Sequence, residues 1–251
     1  MICFLFFLFE PIIYNATVSF SVFGHHLKSL LDFFFPRTCH VCGRELLPGE
    51  EGLCLTCQVQ LPRVANYAVG NPAEMRLAGR CPFEKAVSFC YYRKEGVFAE
   101  MMHEAKYQGK SSYNRFLTTL FIGELQREGW HQDIDVVIPV PLHRRRQRSR
   151  GYNQSMPIAE AIARSWHIPC EAGCLVRRDG DRSQVNRGLE ERLEALVNSF
   201  EVRHEERLQG RHILLVDDIL TSGATLEMCA RALQQVQSVR VSFLTLGLSV
   251  L

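Results

Sequence analysis

Two short apolar runs, 136–140 and 213–216, constrain the fold of this chain more than any other feature. Both are continuously apolar rather than alternating, which is typical of parallel strands that are buried on both faces. Further strands are predicted at 86–92, 175–176 and 239–246, and amphipathic helices at 97–105, 116–125, 158–163, 189–197 and 224–236. Because strands alternate with helices, the sequence predicts an α/β fold with a parallel sheet flanked by helices.

The composition excludes several classes of protein. Apolar residues make up 47% of the 251 residues and charged residues 22%, which excludes a disordered or collagen-like chain. The net charge of +2 gives no overall basic field of the kind expected for an obligate nucleic-acid binder. Ten cysteines in a chain of this length favour a metal site plus scattered buried thiols over a disulfide scaffold. We therefore expect a protein of a reducing compartment, the cytoplasm.

The chain is expected to divide into four parts. We predict an apolar extension at 1–25, a four-cysteine module at 30–62, a linker at 63–85 and the α/β domain at 86–251. The extension is expected to be poorly ordered. Its first apolar run stops at Glu10 and Pro11, well short of the roughly 20 residues that a membrane span needs. Basic residues, which open a secretory signal, do not precede that run. No integral membrane role is expected.

Four cysteines form two close pairs with the pattern C-x2-C-x11-C-x2-C, namely Cys39, Cys42, Cys54 and Cys57. Two such pairs can complete a tetrahedral zinc site, and four thiolates leave no position open for water. Gly43 permits the left-handed turn that a knuckle requires. A structural zinc is therefore predicted, with a redox-active dithiol and a chance pattern as the alternatives. The remaining cysteines lack this spacing and are interpreted as small buried hydrophobic residues.

Two acids and a hydroxyl-rich turn follow the apolar run at 213–216. The predicted ligand residues for a ribose 5-phosphate are Asp217, Asp218, Thr221, Ser222, Gly223, Ala224 and Thr225. Amides at a helix N-terminus and the helix dipole favour a phosphate, and glycine lets the backbone approach it closely. The carboxylates can accept hydrogen bonds from ribose hydroxyls and help to hold Mg²⁺ through water. The alternative is that the acids only end a strand and a hydroxyl only caps a helix.

A basic loop follows the run at 136–140 and contains Arg144, Arg145, Arg146, Arg148 and Arg150. Arginine at the carboxyl end of a strand can hold pyrophosphate through paired hydrogen bonds. The same loop could follow the backbone of single-stranded nucleic acid, with Tyr152 as a stacking face. A plain solvated loop is the third interpretation.

The segment 213–225 resembles the signature by which type I phosphoribosyltransferases bind phosphoribosyl pyrophosphate (PRPP). Three further segments make the resemblance more specific. Together with the signature, the cysteine pairs, the stretch 106–109 and the stretch 139–154 are similar to the ComF family. It covers roughly residues 30–251. It implies a zinc module joined to a type I phosphoribosyltransferase-like parallel sheet, with Asp217 and Asp218 in the catalytic positions. The polar run 182–192 resembles the hood loop that closes over the substrate in such proteins.

The resemblance also implies partners and leaves the function open among several possibilities. The family is linked to natural competence and DNA uptake, so single-stranded DNA and the competence machinery are expected partners beside PRPP. The first interpretation is a ComF-like protein with a PRPP-binding domain. The alternatives are an active Mg-PRPP-dependent phosphoribosyltransferase of nucleotide metabolism and a non-catalytic DNA-handling or PRPP-sensing protein, because the same fold serves both.

Overall fold

The computed structural model describes residues 37–107, 111–178 and 199–250, with the backbone alone at Tyr107, Ser111 and 144–146. The chain divides into two compact units, Met1–Val59 and Gln60–Leu251. The predicted extension at 1–25 lies outside the described residues, as do most of the predicted hood loop and the helix predicted at 189–197. Within the described ranges, no helix is long and apolar enough to cross a membrane.

The larger unit is built on a four-stranded parallel sheet. Its strands and those of a separate hairpin are β1 (Ala86–Tyr92), β2 (Val136–Pro139), β3 (Leu175–Arg177), β4 (Phe200–Val202), β5 (His212–Leu220) and β6 (Arg240–Ser249). The sheet has the order β1-β6-β5-β2, and β3 and β4 form the antiparallel hairpin. This confirms the predicted parallel α/β fold.

Seven helices belong to the described residues, of which the first lies in the smaller unit. They are α1 (Leu55–Val59), α2 (Pro72–Leu77), α3 (Val97–Tyr107), α4 (Ser111–Arg127), α5 (Arg144–Arg150), α6 (Ser155–Trp166) and α7 (Ala224–Leu233). The core forms because the sheet is apolar on both faces. Ile213 and Leu215 pack with Leu233 of α7 in one buried cluster. On the face opposite, the ring of Phe89 stacks on Phe121 of α4 at 4.8 Å between centroids.

The segment 63–85, which the sequence predicts to be a linker, contributes a helix to this core. The side chain of Asn71 caps α2 by accepting hydrogen bonds from the amides of Ala73 and Glu74 at 2.9 and 3.2 Å. Ala73 and Leu77 are fully buried in the cluster with β5 and α7. The sequence did not predict this helix because six residues are too few to show a helical period. Pro72, which begins the helix, is also a residue typical of loops.

The arginine-rich segment Arg144–Arg150 forms α5, so the prediction of a loop at this position is wrong. Arginine and glutamine are good helix formers, and no glycine or proline interrupts the seven residues. Gly151 follows with a φ of 81°, a left-handed conformation that ends helices and suits glycine. The basic residues of this segment therefore lie on a helical backbone rather than in an extended loop.

Candidate functional site

The carboxyl end of β2 pairs with the middle of β5, close to the predicted acidic residues. Pro139 is in register with Val216, and the amide of Val140 donates to the carbonyl of Val216 at 2.9 Å. Strand β5 continues past Val216 to Leu220, so Asp217 and Asp218 belong to the strand instead of following it. The continuation is held by pairing with β6, in which Asp217 faces Thr245. The acids thus have a fixed backbone.

Asp217 is held by two hydrogen bonds on one carboxylate oxygen. The Ser155 hydroxyl, from the first turn of α6, donates to Oδ1 at 2.8 Å, and the backbone amide of Asp218 donates to the same atom at 2.8 Å. Burial, followed by the neighbouring Asp218 carboxylate, raises the pKa of Asp217 to about 7, although both hydrogen bonds act in the opposite direction. Asp217 therefore carries a proton over part of the neutral pH range.

Asp218 forms an ion pair with Lys106, which lies near the end of α3. The Lys106 Nζ and Asp218 Oδ2 are 2.9 Å apart, and the two side chains are 20% and 15% exposed. Lys106 belongs to the stretch 106–109 that carries part of the family resemblance, and of this stretch residues 108 and 109 lie outside the described residues. The structure thus brings a cation to the predicted acidic pair.

The turn after β5 presents the predicted hydroxyl groups to solvent. Thr221 and Ser222 are exposed and Thr225 is half-buried, while α7 begins at Ala224. Gly223 has a φ of 84°, and a Cβ atom there would lie 2.8 Å from the Leu77 side chain. Only glycine fits this position, because the turn is left-handed and packs directly on α2.

Helix α2 also holds the turn by a hydrogen bond that the sequence did not indicate. The Arg76 guanidinium donates to the carbonyl of Thr221 at 2.6 Å and to the carbonyl of Ser249, at the end of β6, at 3.1 Å. Arg76 and Leu77 fall in the predicted linker, which is why sequence reasoning missed them. Ser155 was missed as a partner of Asp217 because 62 residues separate the two.

Helix α5, which contains the five predicted arginines, follows β2, the strand next to β5. Arg148 is exposed, and Arg150 donates to the Gln154 side chain at 2.9 Å. The side chains of Arg144, Arg145 and Arg146 lie outside the described residues. After α5, Tyr152 donates to the carbonyl of Ala105 and Asn153 donates to that of Val140 at 2.9 Å. These bonds fix the connection between α5 and α6.

In the smaller unit the four predicted metal ligands come together. The sulfur atoms of Cys39, Cys42, Cys54 and Cys57 all lie within 4.8 Å of one another. The Cys42 and Cys54 sulfurs are 3.8 Å apart, which matches the roughly 3.8 Å between thiolates that bind a tetrahedral zinc with bonds of about 2.3 Å. Gly43 adopts the expected left-handed turn, with a φ of 68°. The group can therefore hold a metal ion.

Backbone hydrogen bonds favour the thiolate form of Cys39, which is the form that binds a metal. Burial raises the pKa of Cys39, but hydrogen bonds from the backbone at Cys42, Cys54 and Val41 outweigh it and lower the pKa to about 6. In the absence of a metal, burial and the neighbouring thiols raise the pKa of Cys57 to about 12. Three of the four cysteines are buried, and Cys42 is exposed. Of the other described cysteines, Cys170 is half-buried and the rest, Cys81, Cys90, Cys174 and Cys229, are buried, as interpreted from their spacing.

Comparisons with known proteins agree with this arrangement. The family model for the phosphoribosyl transferase domain matches residues 153–246, which run from the connection before α6 to β6. The chain is 28% identical over 210 residues to the DNA utilization protein YhgH of Escherichia coli K12, covering 79% of this chain and 91% of the relative. It is 24% identical over 201 residues to the competence protein ComFC of Bacillus subtilis, covering 75% and 80%. It is 26% identical over 219 residues to the competence protein F of Haemophilus influenzae, covering 82% and 94%.

The domain match includes the residues around the acidic pair. The likeness to competence proteins extends over most of the chain, and the phosphoribosyl transferase match includes Ser155, both acids and the turn before α7. The fold is the parallel sheet with flanking helices described above, and a four-cysteine group lies near the N-terminus. These relatives and the domain match support a ComF family protein with a phosphoribosyltransferase-like domain.

Proposed function

We propose that the larger unit binds PRPP, or another ribose 5-phosphate, at the turn between β5 and α7. The observation that carries this proposal is the placement of Asp217 and Asp218 on a fixed strand end, directly before an exposed hydroxyl turn and a helix N-terminus. The first amides of a helix have no acceptor within the helix, and its dipole favours an anion there. Thr221, Ser222 and Thr225 add hydroxyl donors for the 5-phosphate.

The two carboxylates suit the ribose and a divalent cation. Carboxylate oxygens accept hydrogen bonds from sugar hydroxyls, and Mg²⁺ prefers oxygen ligands, often through water. Asp217 and Asp218 would hold Mg²⁺ in this way, and the ion would neutralise the charge of the pyrophosphate group. Lys106, which pairs with Asp218, supplies a second positive charge at the same place. The presence of both acids of the signature supports binding of PRPP.

Phosphoribosyl transfer is the reaction that this arrangement would support. The bond between the ribose C1 and the pyrophosphate oxygen breaks, positive charge develops on the sugar, and negative charge grows on the leaving group. In this proposal the hydroxyl turn would hold the phosphate and the acids would fix the ribose. Helix α5, which follows the neighbouring strand β2, would supply positive charge for the pyrophosphate. The acceptor would form the new bond to the ribose C1 as pyrophosphate leaves, and a screen of nucleobases identifies it.

A contact with nucleic acid is the second proposed function. Helix α5 carries five arginines and no acid in seven residues, which suits a polyanion better than a single phosphate. The relatives are named for DNA utilization and competence, and this supports single-stranded DNA and the competence machinery as partners.

In the smaller unit, we propose that Cys39, Cys42, Cys54 and Cys57 hold a structural zinc, because their donor set is four thiolates at zinc spacing.

A titration of PRPP with Mg²⁺ tests the first proposal. We expect PRPP to raise the unfolding temperature of the protein and Asp218→Asn to abolish that shift. Asp133→Asn is the matched control, because Asp133 is 65% exposed and contacts Lys85 away from the site. The proposal is wrong when the wild type shows no shift, or when Asp218→Asn shifts as much as the wild type. A screen of nucleobase acceptors for pyrophosphate release then measures turnover.

A further inference from the structure

A large cleft lies beside the proposed ribose-phosphate site and is distinct from it. Its volume is about 1080 Å³, and its walls are the carboxyl end of β2, the connection from α5 to α6, the first turns of α6 and the β3–β4 hairpin. Ligand pockets for small molecules measure about 300–1,000 Å³, so the cleft is large enough for one. Neither Asp217, Asp218 nor the turn 221–225 lines it.

The first turn of α6 separates the cleft from the acidic pair. Asn153 and Met156 line the cleft, whereas Ser155 between them donates its hydroxyl hydrogen to Asp217. The residues that line the cleft therefore do not include Ser155, Asp217 or Asp218.

One wall of the cleft is apolar. Pro141, Leu142, Met156 and Val176 line it. Tyr152 lies at its edge and is held by the hydrogen bond from its hydroxyl to the carbonyl of Ala105. An inorganic anion would gain nothing from such a wall, because burying apolar surface stabilises only a ligand with apolar surface of its own. The wall suits a flat aromatic group, which packs well against proline, methionine and tyrosine.

Four arginines and two glutamates, Glu160 and Glu201, line the cleft, and within the described residues two of the arginines have no carboxylate partner. Arg178 and Arg203 both donate to Glu201, at 3.4 and 3.1 Å. Arg115 of α4 and Arg177 of β3 form no ion pair within the described residues, and Arg177 lies 5.4 Å over the ring of Phe200. A guanidinium without a partner offers paired hydrogen bonds to a phosphate.

We propose that this cleft binds a nucleotide, either free or as part of a single strand, with its base on the apolar wall and its phosphate at Arg115 and Arg177. Base stacking beside a basic track is the usual way in which proteins hold single-stranded nucleic acid. Gln147, also at the cleft, has both a donor and an acceptor for the edge of a base. This inference rests on the proposed nucleic-acid function and deepens it by assigning it a site, whose lining contains neither Asp217, Asp218 nor the turn 221–225.

The test measures binding of two probes, dTMP and a fluorescent oligothymidylate of about 12 nucleotides, to the full chain at low salt. We expect Arg115→Ala and Arg177→Ala each to weaken binding about tenfold, as the loss of one charge-assisted hydrogen bond predicts. Arg164→Ala is the matched control, because Arg164 is exposed on the last turn of α6 and does not line the cleft. Its affinity should equal that of the wild type. Binding of dTMP as well as the oligonucleotide would identify a free-nucleotide site, and binding of the oligonucleotide alone a strand site.

Three outcomes would overturn the inference. Wild-type affinity in both Arg115→Ala and Arg177→Ala would exclude the cleft, and loss of binding in Arg148→Ala alone would assign the nucleic acid to α5. Full competition by PRPP, together with loss of oligonucleotide binding in Asp218→Asn, would show a single site at the turn after β5. Equal competition by polyglutamate would show a general anion surface. Arg177→Lys keeps the charge and checks the fold, and its affinity should lie between those of wild type and Arg177→Ala.

Discussion

The Ser155 hydroxyl donates a 2.8 Å hydrogen bond to Oδ1 of Asp217, and this bond joins the first turn of α6 to the end of β5. Asp217 also accepts from the amide of Asp218 at the same oxygen, and within the described part of the chain no hydrogen bond reaches its Oδ2. Ser155 thus orients the carboxylate on which the proposed ribose contact depends.

Replacing Ser155 with alanine is expected to weaken PRPP binding about threefold to tenfold, the usual effect of losing one hydrogen bond to a charged group. The pKa of Asp217 should also rise further, because this bond lowers it. Binding measured between pH 5 and 9 should therefore reach its maximum at a higher pH in Ser155→Ala than in the wild type. Ser155→Thr retains the hydroxyl and should restore the wild-type profile. Identical profiles for wild type and Ser155→Ala would contradict a positioning role.

Asp217→Asn is expected to stabilise the protein at high pH. The pKa of Asp217 is about 7 in the folded protein, whereas the ordinary value of 3.8 applies in the unfolded chain. The folded state therefore binds the proton more tightly than the unfolded state does. Below about pH 4, Asp217 is protonated in both the folded and the unfolded state, so it does not lower the free energy of unfolding. As the pH rises from 4 through 7, the charged side chain destabilises the folded state increasingly, and the full cost is present above pH 7. Asparagine carries no charge and still accepts both hydrogen bonds.

The measurement is the difference in unfolding temperature between Asp217→Asn and wild type. We expect the variant to unfold at least about 3 °C higher at pH 8, which corresponds to about 1 kcal/mol in a domain of this size. At pH 4 the two proteins should unfold at the same temperature. Asp133→Asn, at an exposed position, should match wild type at both values. A difference that does not depend on pH would contradict the raised pKa.

The sequence sufficed for the sheet because each strand carries a local signal. Continuous apolar runs predicted β2 and β5, and β1 was predicted with the bounds that the structure has. The end of β5 was predicted too early, because Asp217 and Asp218 look like the start of a loop. Pairing of Asp217 with Thr245 and of Ile219 with Gly247 extends the strand, and local sequence contains no information on such pairing.

The candidate site was predictable where its residues are contiguous and not where they are distant. The acids, the hydroxyl turn and the four cysteines each form a compact motif. In contrast, Arg76 reaches the carbonyl of Thr221 across 145 residues of sequence. Its helix is too short for its apolar residues to show a period, so neither composition nor spacing could assign it to the site.

Gly223→Ala is expected to cost more stability than an alanine at another left-handed glycine. A φ of 84° strains any side chain, and the new Cβ would also lie 2.8 Å from Leu77. Gly210→Ala is the matched control, because Gly210 has a φ of 72° but no atom within 4 Å of the same position. We expect Gly210→Ala to cost about 1 kcal/mol and Gly223→Ala clearly more, together with loss of PRPP binding. Urea unfolding measures both, and equal costs would contradict the close packing of the turn on α2.

Metal content tests the cysteine cluster. Elemental analysis of the purified chain should give about one zinc per molecule, because four thiolates complete one tetrahedral site. Cys57→Ser should lose the metal, whereas Cys170→Ser should retain it, since Cys170 is half-buried and lies outside the cluster. Because a structural metal contributes directly to folding, chelation should also increase proteolysis within residues 37–59. Retention of a full equivalent of zinc by Cys57→Ser would show that the metal lies elsewhere.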